Sequence, residues 1–311
     1  MMTTDFEALY ASMPRQAGKQ WQLNIASAIE VFYGVSHDGY LRLAFLCKTQ
    51  PPSLVSTKVL RIVEGEESPG VHWLCFDLLN VEVKSAFFAF CSNMLEAVCE
   101  ASSEPEALVK LKRRYSNWKT LFKNTPSSII DKDKVQGLFG ELYFLKDHML
   151  NTYGADAAVL AWGGPEATSK DFAINTTWYE VKTIGALSAN VTISSLAQLS
   201  SPYPGHLVVI KVERMPIEFS NGASSISEIL AFLLDTIQDE AIEAALLEKV
   251  SSYGVSTTDE AFALKFDVKS LRQYRVEPGF PRITLDDAPY PEITDASYKI
   301  SVAAIERFAE G

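Results

Sequence analysis

Lys170-Asp171-Phe172-Ala173-Ile174-Asn175-Thr176-Thr177-Trp178-Tyr179-Glu180-Val181-Lys182-Thr183-Ile184 is the stretch on which the reading of the fold turns. Residues 170–174 and 178–184 are short runs rich in aromatic and β-branched side chains, and Asn175-Thr176 between them reads as a turn. With that dipeptide as a hairpin loop, Ile174 faces Thr177, Ala173 faces Trp178, Phe172 faces Tyr179 and Asp171 faces Glu180. Directly opposed residues share a face with Cβ atoms roughly 5 Å apart, close enough for two carboxylates to hold one cation. Strand alternation places Lys182 on that same face and turns Val181 toward a core.

An acid two residues before a lysine is a short pattern, and the chain holds two more copies, Glu82-Val83-Lys84 and Asp267-Val268-Lys269. Before the Lys269 copy lies Asp259, but Ala261–Phe266 reads as one unbroken strand. An extended span of that length would hold the two carboxylates roughly 25 Å apart, too far to share a metal. The Lys84 copy reads as an exposed strand end or the start of a helix. Only the Asp171 copy has a fold-back and a further acid placed to help.

That acid is Glu141, in Val135-Gln136-Gly137-Leu138-Phe139-Gly140-Glu141-Leu142-Tyr143-Phe144-Leu145. Leu138, Phe139, Leu142 and Leu145 follow helical spacing and form an apolar stripe, with Glu141 beside it. A half-buried carboxylate needs a basic side chain, a helix cap or a metal. Gly137 and Gly140 each weaken a helix by about 1 kcal/mol relative to alanine, which points to close approach by another backbone or a ligand.

Gly137-Leu138-Phe139-Gly140-Glu141-Leu142, then Trp162-Gly163-Gly164-Pro165, Lys170-Asp171-Phe172, Glu180-Val181-Lys182 and Gln198-Leu199 together resemble the PD-(D/E)XK nuclease superfamily. More narrowly, they resemble a bacterial PD-(D/E)XK family associated with restriction and phage-defence gene clusters. The resemblance covers residues 105–215; Gly279-Phe280-Pro281-Arg282-Ile283 and Tyr298 fit it less specifically, and Lys170 stands where the motif has proline. It implies a restriction-endonuclease-like α/β (α+β) fold, a mixed central sheet flanked by helices. It also implies that Asp171 and Glu180 bind Mg²⁺ (or Mn²⁺) with the Val181 carbonyl, since hard cations take carboxylates, carbonyls and water. Glu141 would complete the metal shell directly or through water. Lys182 would orient or help deprotonate the attacking water and stabilise charge at the phosphate, and Gln198 would line the site from the next helix. DNA is the implied partner. A homodimer or other defence-system subunits would accompany it, with any ATPase or methyltransferase encoded separately. Two other readings stay open: a catalytically silent member of the fold that binds DNA or assembles a complex, and a small-molecule enzyme on an unrelated α/β fold. The last predicts Asp171 and Glu180 far apart.

The chain has 311 residues, 47% hydrophobic and 22% charged, an ordinary globular balance with room for two domains. No apolar segment is long enough to span a membrane, and Met1-Met2-Thr3-Thr4-Asp5-Phe6-Glu7 has no basic region followed by an apolar one, so a cytoplasmic location is expected. Cys47, Cys75, Cys91 and Cys99 sit in apolar surroundings without Cys-x-x-Cys spacing and read as buried thiols. The net charge of −11 argues against a surface built throughout to hold DNA, because duplex affinity comes mainly from Lys and Arg. The distribution is uneven, however: Lys110, Lys112, Arg113, Arg114, Lys119 and Lys123 crowd one segment and, with Lys170, are the candidate phosphate contacts. In that segment Leu108, Leu111, Tyr115, Trp118 and Phe122 follow helical spacing and read as core.

Composition changes near Ser102-Ser103-Glu104-Pro105, which suggests a β-rich N-terminal domain over 1–104 and a nuclease-like domain over 105–311. In the first, strands are expected at 29–33 and 40–46 about a His37-Asp38-Gly39 turn, then at 58–63 and 71–76, before a helix over 85–100. This domain braces the nuclease domain or binds DNA or a partner. In the second, Leu207–Val212 suits the centre of a sheet, a helical stretch covers 225–249, and strands lie near 261–266 and 297–302. No phosphate-binding loop or Gly-x-Ser-x-Gly elbow is present.

Overall fold

Asp5 accepts a hydrogen bond from the Ala8 N–H and so starts a short helix, α1 (Phe6–Ser12). Strands β1 (Gln20–Gln22), β2 (Glu30–Val35), β3 (Leu41–Cys47), β4 (Leu60–Ser68) and β5 (Val71–Leu78) follow. They pair antiparallel in the order β1-β2-β3-β5-β4, which is the β-rich N-terminal region expected from the sequence. The computed structural model describes residues 4–14, 16–122, 131–164, 170–216, 222–255, 259–287, 290 and 292–310; Lys123 and Pro165 lie outside them.

Helix α2 (Lys84–Cys99) is apolar around most of its circumference because it is enclosed on more than one side. Its Phe90 ring meets Phe76 of β5 at 5.3 Å and Trp118 of α3 (Glu104–Leu121) at 5.7 Å. On α3 the expected stripe of Leu108, Leu111, Tyr115 and Trp118 is buried. The Glu82-Val83-Lys84 tripeptide lies at the start of α2, as its sequence suggested.

The chain groups into two compact units, Met1–Ile130 with Leu230–Ala263, and Asp131–Ile229 with Leu264–Gly311. Helix α3 and its basic residues thus belong to the unit that holds the first sheet. Lys112 is exposed and Lys119 partly so, whereas Lys110 lies 3.6 Å from Glu100 and 3.5 Å from Glu106, and Arg113 pairs with Glu240. Arg114 needs correction as a phosphate contact. It is only 3% exposed, with Glu96 at 3.0 Å, Glu100 at 3.1 Å, Glu243 at 3.6 Å and the Asn93 carbonyl at 2.5 Å. Its position explains this, since residues 111, 114, 115 and 118 share one helical face. Burial, then a hydrogen bond with Asp235, raises the Glu96 carboxyl to about 8, and burial also raises Glu243.

The second unit begins with α4 (Lys132–Phe144), capped by Asp131, which accepts from the Asp133 and Lys134 N–H groups. A π-turn at Leu145–Met149 leads into α5 (Leu150–Tyr153) and α6 (Ala155–Ala161). Then come β6 (Phe172–Ile174), β7 (Thr177–Gly185), β8 (Asn190–Ile193), β9 (Gly205–Met215) and β10 (Ala223–Ser224); α7 (Ile226–Thr236) crosses at Leu230 into the first unit, which also holds α8 (Glu240–Ser252) and α9 (Asp259–Phe262), and β11 (Lys265–Val276) and β12 (Tyr298–Ser301) complete the second. The second sheet is mixed, in the order β10-β11-β9-β7-β6; β9 is at its centre, parallel to β7 and antiparallel to β11. Strands β8 and β12 form a separate antiparallel pair over a core that includes Trp178, Val191, Ile193, Val209 and Ile300.

Two expected elements differ. The helical stretch over 225–249 is α7 and α8, parted where Asp239 caps α8 by accepting from the Ala241 and Ile242 N–H groups. Ala261–Phe266 is not one strand: α9 ends at Phe262 and β11 starts at Lys265, an apolar run too short for periodicity to separate helix from strand. The Asp267-Val268-Lys269 copy lies on β11, where Lys269 pairs with Asp267 at 2.7 Å and Glu213 at 2.9 Å. Among the described residues no helix is long and apolar enough to cross a membrane. The four cysteines are free thiols, three of them buried.

Arg114→Ala leaves Glu96 and Glu243 buried without their cation and is expected to lower stability by about 3–5 kcal/mol in urea denaturation. Lys112→Ala is expected to stay within about 0.5 kcal/mol of wild type. Equal stabilities for the two variants would remove the structural role given to Arg114.

Candidate active site

The hairpin adopts the register read from the sequence: Phe172 opposes Tyr179, Ala173 opposes Trp178 and Ile174 opposes Thr177. Asn175 takes φ 53°, the left-handed conformation that asparagine tolerates in tight turns. Asp171 lies just beyond the ladder. Its carbonyl accepts the Gly163 N–H at 2.8 Å, and its carboxylate accepts the Val181 N–H at 2.6 Å. A residue's N–H and C=O leave an extended strand on the same edge, so the Val181 carbonyl emerges on the side of Asp171. Two residues on, the Thr183 carbonyl on that edge accepts from the Gln136 side-chain amide at 2.9 Å.

Alternation along β7 divides its side chains between two environments. Tyr179 meets Phe144 of α4 at 5.3 Å, and Thr183 meets Gly140 of the same helix, so Tyr179, Val181 and Thr183 face α4. Trp178 and Ile184 belong to the opposite core beneath β8 and β12, the face that also carries Glu180 and Lys182. Glu180 is 1% exposed there, and the Lys182 ammonium lies 2.9 Å from its carboxylate.

Gly140 permits the approach of α4. A Cβ at this position would stand 1.7 Å from the Thr183 hydroxyl oxygen, whereas at Gly137 it would meet nothing within 4 Å. Close approach therefore accounts for one of the two glycines. Glu141, the next residue, is buried and accepts from the Trp162 indole N–H at 2.7 Å. Trp162 in turn bridges to Phe172, beside Asp171. Among the described residues no group of three or more His, Cys, Asp or Glu is arranged to hold a metal. The helix that carries Glu141 packs on the other face of β7.

Lys170 and Gln198 also differ from expectation. The Lys170 ammonium donates to the carbonyls of Ala197 (2.5 Å), Gln198 (2.9 Å) and Ser200 (3.0 Å), and lies 4.6 Å from the centre of the Trp178 ring. It is buried and clasps the end of a 3-10 turn, Leu196–Leu199. Gln198 sits on that turn rather than on an α-helix, and its side-chain oxygen accepts the Ser194 N–H at 2.7 Å. That oxygen is thus engaged within its own turn.

Burial and proximity set the charges of the two acids. Burial first, and then the neighbouring Asp171, raise the Glu180 carboxyl to about 8 despite Lys182. Burial likewise raises Asp171, against the pull of the Val181 N–H, Lys182 and Lys170. Lys170 is lowered to about 8, mainly by burial. Two buried acids that favour protonation thus lie beside a strand edge and a lysine.

The family described as "Putative PD-(D/E)XK family member, (DUF4420)" matches residues 2–303 of the chain. The chain belongs to this PD-(D/E)XK family. It matches no curated protein and no solved structure. The PD-(D/E)XK match runs through both compact units, well beyond the 105–215 span that carried the resemblance in sequence. Sequence reasoning missed one feature beside the motif, a cavity of about 460 Å³ that Lys182 shares with Asn190, Thr192 and Lys299. The alternation in Asn190-Val191-Thr192-Ile193 is the signal that would have revealed β8.

Gly140→Ala is expected to destabilise the protein by about 1–3 kcal/mol through overpacking against Thr183. Gly137→Ala should raise stability by up to about 1 kcal/mol through helix propensity, and thermal melts showing the same sign for both would exclude this packing. The raised Glu180 carboxyl predicts a pH signature. Between the unfolded value of 4.5 and about 8 the folded metal-free state holds the extra proton. Stability from this group is therefore complete below about 4.5 and is lost as pH rises to 8, by up to about 1.4 kcal/mol per pH unit. Glu180→Gln removes that slope, so in EDTA the variant should melt above wild type at pH 8–9, with the gap closing toward pH 4.5. A gap that does not change with pH would contradict the assignment.

Proposed function

We propose that the chain is a Mg²⁺-dependent (or Mn²⁺-dependent) endodeoxyribonuclease that hydrolyses a phosphodiester with a metal-activated water. The observation that carries this reading is the convergence of Asp171, Glu180 and Lys182 at one end of the β6/β7 hairpin, with the Val181 carbonyl on the edge where Asp171 lies. The donor set fits a hard divalent cation: two carboxylates whose burial and mutual repulsion favour protonation when nothing binds them, and a carbonyl, with water for the remaining positions. Such a cation would lower the pKa of a coordinated water and neutralise charge at the phosphate.

The residues of the chain supply the rest. Asp171 and Glu180 hold the cation, and the hydrogen bond from the Val181 N–H fixes the Asp171 carboxylate. Lys182, beside Glu180, orients the attacking water and places a positive charge next to the phosphate. Glu141 is a positioning residue: it holds Trp162, and the Trp162–Gly163 backbone brackets Asp171 and Phe172. A role in restriction of foreign DNA in the cytoplasm fits this chemistry. The net charge of −11 favours a partner subunit or second copy that contributes part of the DNA grip. A silent DNA-binding or assembly subunit is the competing reading, favoured by the resting Lys182–Glu180 ion pair and the lack of a third converging acid among the described residues.

Supercoiled plasmid incubated with the chain and Mg²⁺ should be nicked or linearised, and Asp171→Ala or Lys182→Ala should slow this by about 10²–10⁴-fold. Cleavage that survives both substitutions sinks the site. Divalent-metal binding by calorimetry without cutting of modified or unmodified DNA decides for the silent subunit.

A further inference from the structure

The 460 Å³ cavity beside the motif lies wholly within the second unit, between the Gln136 end of α4, the last residues of β7 and the β8/β12 pair. Its volume is within the range of about 300–1,000 Å³ typical of ligand sites. Among the described residues, the charged side chains lining it are Lys182 and Lys299, and no carboxylate lines it. In a chain with 39 acidic and 28 basic residues, that is a local reversal of sign.

The β8/β12 pair is built to present this surface. Val191, Ile193 and Ile300 point into the core, so Asn190, Thr192, Lys299 and Ser301 point the other way. Thr192 and Lys299 are directly opposed, and both are exposed. Lys299 makes no ion pair among the described residues, whereas Lys182, on the same cavity, is paired with Glu180 at 2.9 Å. Ser188, Asn190 and Thr192 add side-chain hydrogen-bond donors to the same wall.

The geometry points to this cavity as a phosphate-binding subsite, in which Lys299 with Thr192 and Asn190 holds a backbone phosphate of the DNA strand adjacent to the phosphate handled by Lys182. This assignment rests on the reading of Asp171, Glu180 and Lys182 as a phosphodiester centre. The β8/β12 pair then guides the strand past the motif, and Lys299 positions the substrate without touching the reacting bond.

Fluorescence anisotropy with labelled single-stranded and duplex oligonucleotides tests it on the full chain, in EDTA so that nothing is cut. Lys299→Ala is expected to weaken binding by about fivefold to tenfold at low salt, and to reduce the slope of log K against log[salt] by about 0.9 for duplex or about 0.7 for single strand. Lys299→Arg should keep wild-type affinity, and Lys299→Glu should lose more than alanine. Lys269→Ala removes an exposed lysine already paired with Asp267 and Glu213 and should change neither quantity. An unchanged affinity and slope in Lys299→Ala, an equal loss in Lys269→Ala, or no DNA binding by the wild type overturns the subsite. Loss of binding in Lys299→Ala in a protein that cuts no DNA keeps the subsite and discards the nuclease. Wild-type cleavage unaffected by Lys299→Ala does the reverse.

Discussion

A side chain at residue 140 would collide with the Thr183 hydroxyl at 1.7 Å, so α4 reaches β7 only because that position is glycine. Much of the second unit depends on this approach. It sets Gln136 against the Thr183 carbonyl and Phe144 against Phe172 and Tyr179. Glu141 can then hold the Trp162 indole, and Trp162 and Gly163 hold the chain at Phe172 and at the Asp171 carbonyl. The acid on the helix is thereby linked to the hairpin through packing and hydrogen bonds. A helix held one side chain further out would lose all of these contacts at once.

The electrostatics of the hairpin follow from where its two faces lie. Glu180 is on the face covered by the β8/β12 core, so it is desolvated, and Asp171 is close enough to raise it further. One lysine is not enough to compensate both acids. Lys182 pairs with Glu180, while Lys170 is drawn into the carbonyls at the end of the 196–199 turn. Both carboxyls therefore favour the protonated form, and under the proposed metal-dependent reading a divalent cation would have to displace those protons, which would couple its affinity to pH. Excess positive charge near the site appears instead at Lys299, on a strand pair whose inner face is needed for the core.

Parts of this were legible from the residues in order. The Asn175-Thr176 turn fixed the hairpin register, because a two-residue loop leaves one pairing that keeps both runs on consistent faces. Four of the five antiparallel strands of the first unit, β2 to β5, were legible from alternation and from turn residues, whereas the three-residue edge strand β1 was not. Arg114 was legible too, since its spacing to Leu111, Tyr115 and Trp118 places it on the buried face, although a basic run invites the opposite reading. Boundaries were less so: the Asp239 cap splits a helical stretch, and an alternating Ala261–Phe266 run divides into a helical turn and the start of a strand.

The sequence by itself determined that Glu180 and Lys182 share one face of β7, because the period of a β-strand is local and needs no knowledge of the rest of the chain. The same local rules determined the aromatic stripe of α3 and the central place of Leu207–Val212. Only the tertiary structure decided which charges are left free. Lys170 and Arg114 are taken by carbonyls and acids distant in sequence, and Glu141 is taken by Trp162. Lys299 comes beside Lys182 because β12 pairs with β8 more than a hundred residues earlier in the chain. Partners of that kind are set by long-range packing and by the desolvation that follows it, and neither is encoded in the spacing of neighbouring residues.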